Sequence, residues 1–312
     1  MFKQDRRMLV KIAQMYYEEG ATQSEIADRI GISRSLVSKL LTKAREDGIV
    51  EIIIHDDHIH QFRNIERKIE RLYALREVVC IESVGKETSK KQLGEAASEY
   101  LHRVIRDGQI IGMSSGTTLN EVAKAISSVQ HYPTATVVPL VGGMGNERVD
   151  IHSNSIVSKV GNALQSKYEL LHVPVMLDTK EAREVLIRQP SIRSIFHLAE
   201  QSHIAIVGIG GRPEDSTMVK SYMGSDHLQI TNDSEIVGDI CYNFINKFGK
   251  PVQNAWNDRV IAMELEKLKA IPLVIGVASG LEKVQAIKAA LEGSLIHVLI
   301  TDEATGTALV EG

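Results

Sequence analysis

From Val78 onward the chain repeats one device: a short apolar run, often β-branched, then a small-residue corner, then a stretch with helical spacing. The runs cover residues 78–81, 109–113, 136–141, 170–175, 204–208, 273–278 and 295–300, and helical patterns over 91–105, 119–126, 156–167 and 281–291 lie between most of them. Runs this short with no polar face must be buried on both sides. A parallel sheet covered by helices on both faces supplies that environment, so residues 77–312 are expected to form a doubly wound, mainly parallel α/β domain.

The 312 residues, 43% hydrophobic and 24% charged, suffice for a packed core and more than one folding unit. The longest strongly apolar stretches, 271–278 and 295–300, fall well short of the roughly 20 residues a membrane helix needs, so no membrane partner is expected. With only Cys80 and Cys241, and no apolar secretory segment before Arg6, the expectation is a reduced, cytoplasmic protein.

Four of the runs end in glycine-rich corners: Gly112-Met113-Ser114-Ser115-Gly116-Thr117-Thr118, Val141-Gly142-Gly143-Met144-Gly145, Gly208-Ile209-Gly210-Gly211 and Gly276-Val277-Ala278-Ser279-Gly280. In an open α/β sheet the carboxyl ends of the strands share one edge, and ligands bind in the crevice there. The first corner carries the most chemistry. A strand, a small-residue loop and a helix starting near Thr118 aim unpaired N–H groups and the positive helix end at an anion, with the Thr117 and Thr118 hydroxyls beside them. The dipole contributes on the order of 1 kcal/mol and each charge-assisted hydrogen bond roughly 1.5–3 kcal/mol, so four or five contacts hold a phosphate at micromolar affinity. Lys283, just past Gly280, is placed to neutralise it. The same corner fits G-x-S-x-G, the nucleophile elbow of α/β-hydrolases, but any tight strand-to-helix corner needs small residues, so the pattern discriminates weakly.

The first 56 residues read differently. Residues 8–19 form a helical pattern stopped by Gly20, with Leu9, Ile12, Ala13 and Tyr16 on one face. Thr22-Gln23-Ser24-Glu25 fits a capping box that opens a second helix, and Gly31 breaks it. Ser33 caps a third helix running to about Glu46, on which Leu36, Val37, Leu40, Leu41 and Ala44 recur at helical spacing. Arg34, Ser35, Ser38, Lys39, Thr42 and Lys43 fall on the opposite side, and residues 33–45 contain no acid.

The first fifty residues carry a formal charge of +2 and the remaining 262 carry −6. A basic helix on an acidic body is the pattern of a helix-turn-helix whose recognition helix enters the major groove. Arg34 can fork onto a guanine, Ser35 and Ser38 can reach base edges, Lys39 and Lys43 can hold phosphates, and Thr22, Gln23 and Ser33 lie at helix starts suited to backbone contacts.

Residues 49–54 read as a strand, a candidate wing. His55-Asp56-Asp57-His58-Ile59-His60 matches no metal-ligand spacing and reads as a solvated hinge; no metal and no cofactor are expected. An amphipathic pattern with Phe62, Ile65, Ile69 and Leu72 in line marks a connecting or dimerising helix over 57–76.

The chain resembles the SorC/DeoR family of bacterial sugar-responsive regulators across nearly its full length. The resemblance is carried by the helix-turn-helix from Tyr16-Tyr17 to Leu41, the Gly112 to Thr118 corner, Gly142-Gly143, Gly238-Asp239-Ile240 with Asn257-Asp258-Arg259, and Gly276 to Lys283 before Ala286-Ile287. It implies an operator-binding repressor of a carbohydrate operon, a homo-oligomer (dimer or tetramer), and an effector domain related to sugar-phosphate isomerases and deaminases. It also implies that Gly116, Thr117, Thr118 and Lys283 meet a phosphate, with Gly280 in the corner before it, while Gly142, Gly143, His152 and Asp239 lie near the sugar. The corner Leu140-Val141-Gly142 offers no amine for covalent capture, so the expected effector, a phosphorylated sugar, binds reversibly. The alternative is a sugar-phosphate isomerase or deaminase whose N-terminal helices serve only as an oligomerisation cap.

Overall fold

A computed structural model describes residues 3–52, 62–127, 130–143, 149–216 and 234–311. The chain divides into two compact units, residues 1–61 and 62–312. The expected hinge at His55–His60 and the Met144-Gly145 end of the second glycine corner lie outside the described residues.

The first unit holds α1 (Lys3–Tyr17), α2 (Gln23–Ile30) and α3 (Arg34–Glu46). Thr22 and Glu25 form the expected box: Thr22 N–H donates to Glu25 Oε2 at 2.8 Å and Glu25 N–H donates to Thr22 Oγ1 at 3.3 Å. Gly31 adopts φ +76° as the left-handed stop of α2, and Ser33 Oγ accepts the Leu36 N–H at 3.2 Å. Ile12, Met15, Ile26, Val37 and Leu41 fill the small core, and Leu9 and Ala13 pack on Ala44. Two side chains expected inside are outside: Tyr16 is exposed, its place taken by Met15, and Leu36 is 42% exposed. Residues 49–52 form no strand. The N–H groups of Ile49 and Val50 both donate to the Ala44 carbonyl, closing the end of α3 instead of extending into a ladder.

The second unit is built on a sheet of order β1-β9-β8-β5-β2-β3-β4, parallel throughout. Its strands are β1 (Glu77–Ile81), β2 (Ile110–Met113), β3 (Thr136–Pro139), β4 (Lys167–Tyr168), β5 (Ile204–Gly210), β8 (Leu273–Val277) and β9 (Val298–Asp302). The hairpin β6 (Gly238–Ile240) and β7 (Asn243–Ile245) extends β5 antiparallel beyond its carboxyl end, pairing Gly210 with Asp239. Helices α5 (Lys86–Val104), α6 (Thr117–Ala125), α7 (Ser153–Ala163), α8 (Lys180–Ile187), α9 (Pro190–Glu200), α10 (Leu265–Lys269), α11 (Val284–Glu292) and α12 (Glu303–Glu311) complete it. Every residue of β8 and β9 is buried, as the continuous apolar runs require.

The expected strand over 170–175 is absent. Pro174 has no N–H to give a ladder, and the segment makes only an isolated bridge to Gly143 while Leu171 and Val173 pack on Ile192, Phe196 and Ile261. The helix expected to connect the units, α4 (Arg63–Tyr73), is packed as part of the second one. Ile69 is fully buried, and two of its glutamates cover the outer edge of β1: Glu66 accepts the Cys80 N–H at 2.9 Å and Glu70 accepts that of Val78 at 3.0 Å.

Candidate functional site

After β2 the chain turns to β3 and β4 on one side, whereas β5, on the other side of β2, leads to β8 and β9. The gap between the carboxyl ends of β2 and β5 is therefore the point where strand order reverses, the standard ligand position of a doubly wound sheet. A cleft lies there, lined by the corner Ser114–Leu119, by Gly208–Gly211, by Asp215 and Ser216, by Asp239, Cys241 and Tyr242, and by Lys90, Val277, Glu282 and Lys283.

One wall is the start of α6. Gly116 adopts φ +123°, open to glycine alone, and its N–H is spent on the Ile151 carbonyl at 3.1 Å. No side chain among the described residues caps this helix, which leaves the first-turn N–H groups of Thr117, Thr118 and Leu119 at the cleft with two threonine hydroxyls. Helix N-termini of this kind favour anions.

The opposite wall carries acids. Asp239 is buried, with its Oδ1 lacking a hydrogen-bond partner among the described residues. Burial pushes its carboxyl up to about 6 against the pull of Lys283, the Tyr242 N–H and the Ser216 hydroxyl. A buried acceptor without a donor costs about 1–3 kcal/mol, which a ligand hydroxyl can recover. Burial also pushes the Cys241 thiol up to about 12, so it is a neutral thiol rather than a nucleophile.

Of the residues singled out from sequence, the fold brings Gly116, Thr117, Thr118, Asp239 and Lys283 around this one cleft. Gly142, Gly143, His152 and Gly280 are not among its lining residues. The Gly142 N–H donates to Ile261 and that of Gly143 to Val173, and a β-carbon on Gly142 meets the Pro174 carbonyl at 2.8 Å, so close backbone approach explains the glycine there. His152 is buried at the N-cap of α7, and the Gly280 N–H is held by Thr305 Oγ1 at 2.8 Å. The nucleophile-elbow reading finds no base: among the described residues no histidine lines the cleft, and Ser114 Oγ accepts the adjacent Ser115 N–H.

Sequence reasoning missed Lys90, Ser216, Cys241 and Tyr242, whereas Gly210 was signalled by the Gly208-Ile209-Gly210-Gly211 corner. Cys241 and Tyr242 form the two-residue turn between β6 and β7 with φ of +51° and +61°, where the usual signal is Asn-Gly. Such residues in the left-handed region cost on the order of 1 kcal/mol or more each. The turn is held in place by Trp256 Nε1 donating to the Tyr242 carbonyl at 2.8 Å and by the Asn243 side chain donating to Ile240, Cys241 and Met263 carbonyls.

In the first unit, Arg34, Ser35, Ser38, Lys39 and Lys43 are all exposed on α3. The Thr22 and Ser33 hydroxyls are engaged as helix caps, and Gln23 is half-buried at the first position of α2. A basic recognition helix in one unit and a switch-point ligand cleft in the other make this a ligand-responsive DNA-binding regulator.

Residues 57–311 match the Sugar-bind family, which describes a sugar-binding domain, and residues 11–47 match region 4 of sigma-70. The chain is 30% identical over 312 residues to the deoxyribonucleoside regulator of Bacillus subtilis (strain 168), covering 99% of both. To the sorbitol operon regulator of Klebsiella pneumoniae it is 29% identical over 311 residues, covering 98% of both. The crystal structure of full-length SorC from Klebsiella pneumoniae superposes with a TM-score of 0.74 at 29% identity, over 98% of this chain and 99% of that one. A DeoR family transcriptional regulator from Listeria monocytogenes aligns with a TM-score of 0.73 at 26% identity, over 79% of this chain and 98% of its own. The chain belongs to the SorC/DeoR family of transcriptional regulators. It is a sugar-responsive, helix-turn-helix DNA-binding protein rather than an enzyme.

Proposed function

We propose that this regulator is a cytoplasmic repressor of a carbohydrate operon, released or rearranged on its operator when a phosphorylated sugar binds reversibly in the β2/β5 cleft. The observation that carries the reading is the uncapped start of α6, with Thr117 and Thr118, set across from the unpartnered Oδ1 of buried Asp239. Phosphate on the helix end and sugar hydroxyls on the carboxylate satisfy both sides at once.

Covalent capture is not part of the mechanism. Val141 is fully buried, and of the two amines that line the cleft among the described residues, Lys90 is ion-paired with Glu87 at 2.9 Å while Lys283 lies within the field of Asp239.

On DNA, two recognition helices of a dimer read half-sites about one turn, roughly 34 Å, apart, and a tetramer bridges two such operators. Regulation needs the effector to favour one state; a hundredfold preference amounts to about 2.7 kcal/mol. The test is fluorescence anisotropy of labelled duplex operator with and without a panel of sugar phosphates. Salt-sensitive binding altered by one sugar phosphate is the expected result. Operator affinity indifferent to every sugar phosphate, including those that raise the thermal stability of the protein, overturns the reading.

A further inference from the structure

We propose that Lys90 is the side-chain cation that meets the effector's phosphate at the start of α6, while Lys283 attends the opposite wall, an assignment that rests on the sugar-phosphate reading above. Lys283 was the lysine expected there, since Lys90 lies on a different helix and far from the glycine corner in sequence.

The packing of α5 on α6 brings Lys90 to the seat. The two helices run parallel: a β-carbon on Gly94 would meet the Glu121 carbonyl carbon at 2.6 Å, and one turn later Ser98 Oγ donates to the Ala125 carbonyl at 3.1 Å. Residues four apart share a helix face. One turn back from Gly94 and Glu121, the same register sets Lys90 opposite Thr117, and both line the cleft. Gly94 leaves no slack where the helices touch, and before the first turn of α5 the buried Ser89 donates its hydroxyl to the Val84 carbonyl at 2.9 Å. The backbone that carries Lys90 is thus fixed beside the α6 start.

Charge separates the two lysines. Lys283 rises beside Gly211, close to Asp215 and Glu282 and within the field of buried Asp239, so a phosphate there would face three carboxylates along with one ammonium. The α6 end of the lining offers Lys90 with the neutral Ser115, Gly116, Thr117 and Thr118. The Lys90 ammonium is also held loosely enough to turn to a ligand. Its partner Glu87, at 2.9 Å, is 87% exposed against 23% for the lysine side chain, and an ion pair with one member in solvent contributes little. An ammonium has three donors, so one can reach phosphate while another keeps Glu87.

Calorimetric titration of the full-length protein with inorganic phosphate, ribose 5-phosphate and glucose 6-phosphate tests this on the wild type, Lys90→Met, Lys90→Arg, Glu87→Gln and Lys283→Met. Methionine keeps an unbranched stem and a helix preference close to that of lysine, and thermal melts report folding. A charge-assisted hydrogen bond to phosphate is worth roughly 10- to 100-fold in affinity, so Lys90→Met should weaken every probe that binds the wild type by about tenfold or more, inorganic phosphate included. Lys90→Arg should recover most of that loss. Glu87→Gln, which releases the ammonium, should strengthen inorganic phosphate by about two- to fivefold. Lys283→Met should weaken the sugar phosphates more than inorganic phosphate. Affinities that Lys90→Met leaves within about threefold of wild type, or a phosphate affinity that falls further with Lys283→Met than with Lys90→Met, overturn the assignment alone. If Lys90→Met does not fold, an unchanged phosphate affinity in Glu87→Gln overturns it. Failure of all three ligands to bind the wild type overturns the sugar-phosphate reading, and this inference with it.

Discussion

Asp239 Oδ1 lies so close to the Cα of Gly210, its cross-strand partner, that no β-carbon fits between them. The glycine is what allows a carboxylate to turn into the cleft from an antiparallel pair. Gly210→Ala must push the carboxylate aside or bend the ladder. The expected cost is about 1–3 kcal/mol in urea denaturation, with at least a tenfold loss of sugar-phosphate affinity by calorimetry. Gly208→Ala is the control, since its β-carbon would meet only the flexible end of Leu119 at 3.3 Å and should be much milder.

Asp239 also makes stability depend on pH. Its carboxyl ionises at about 6 in the folded protein against 3.8 normally, so between those values the folded state holds more protons than the unfolded one. Stability therefore falls as pH rises through that window, by an amount on the order of 1–3 kcal/mol. Asp239→Asn should flatten this fall in thermal melts between pH 4 and 7 and raise the melting temperature at pH 7. If the ionised form accepts sugar hydroxyls, the same substitution lowers sugar-phosphate affinity, and wild-type affinity declines below pH 6.

Arg34→Ala and Thr117→Ala should separate the two activities. The first, on the exposed face of α3, is expected to cost about 1–3 kcal/mol of operator discrimination in anisotropy assays and leave effector titrations unchanged. The second should weaken sugar-phosphate binding and leave effector-free operator binding unchanged. Lys39→Ala should weaken binding to all duplexes alike and lower the salt slope by about one.

Thr22→Ala removes the hydroxyl arm of the capping box at α2, including its bond to Glu25, and keeps the backbone N–H that donates to Glu25 Oε2. A loss of about 1 kcal/mol in the stability of the helix-turn-helix unit is expected by circular dichroism melts, with weaker operator binding at elevated temperature. Sugar-phosphate affinity should not change.

Much of this protein was legible in one dimension. The helix-turn-helix could be read from Thr22, Glu25, Gly31 and Ser33 because capping and left-handed stops are local chemistry, decided within four residues. The strand-to-helix corner at Gly116-Thr117-Thr118 was legible for the same reason, as a strand, a turn and a helix start are contiguous. Leu36 was misjudged because helical spacing gives a periodic face but not the width of the surface that covers it. The strand expected over 170–175 failed where alternating apolar residues filled a satellite cluster beside Pro174 rather than a ladder position.

The sequence alone determined which segments pair hydrophobic runs with glycine corners, hence a doubly wound sheet, and which helix is basic and solvent-facing. Tertiary structure alone decided what meets at the switch point. Gly142 and Gly143 look like a ligand corner from their spacing, yet their N–H groups are consumed by Ile261 and Val173, residues far along the chain. Cys241 and Tyr242 carry no turn signal, and hydrogen bonds from Trp256, distant in sequence, and from Asn243 help hold them in the left-handed conformation beside the cleft. Local conformational preference is written residue by residue, whereas the burial of a carboxylate or the strain of a turn depends on partners that only the folded chain brings into contact.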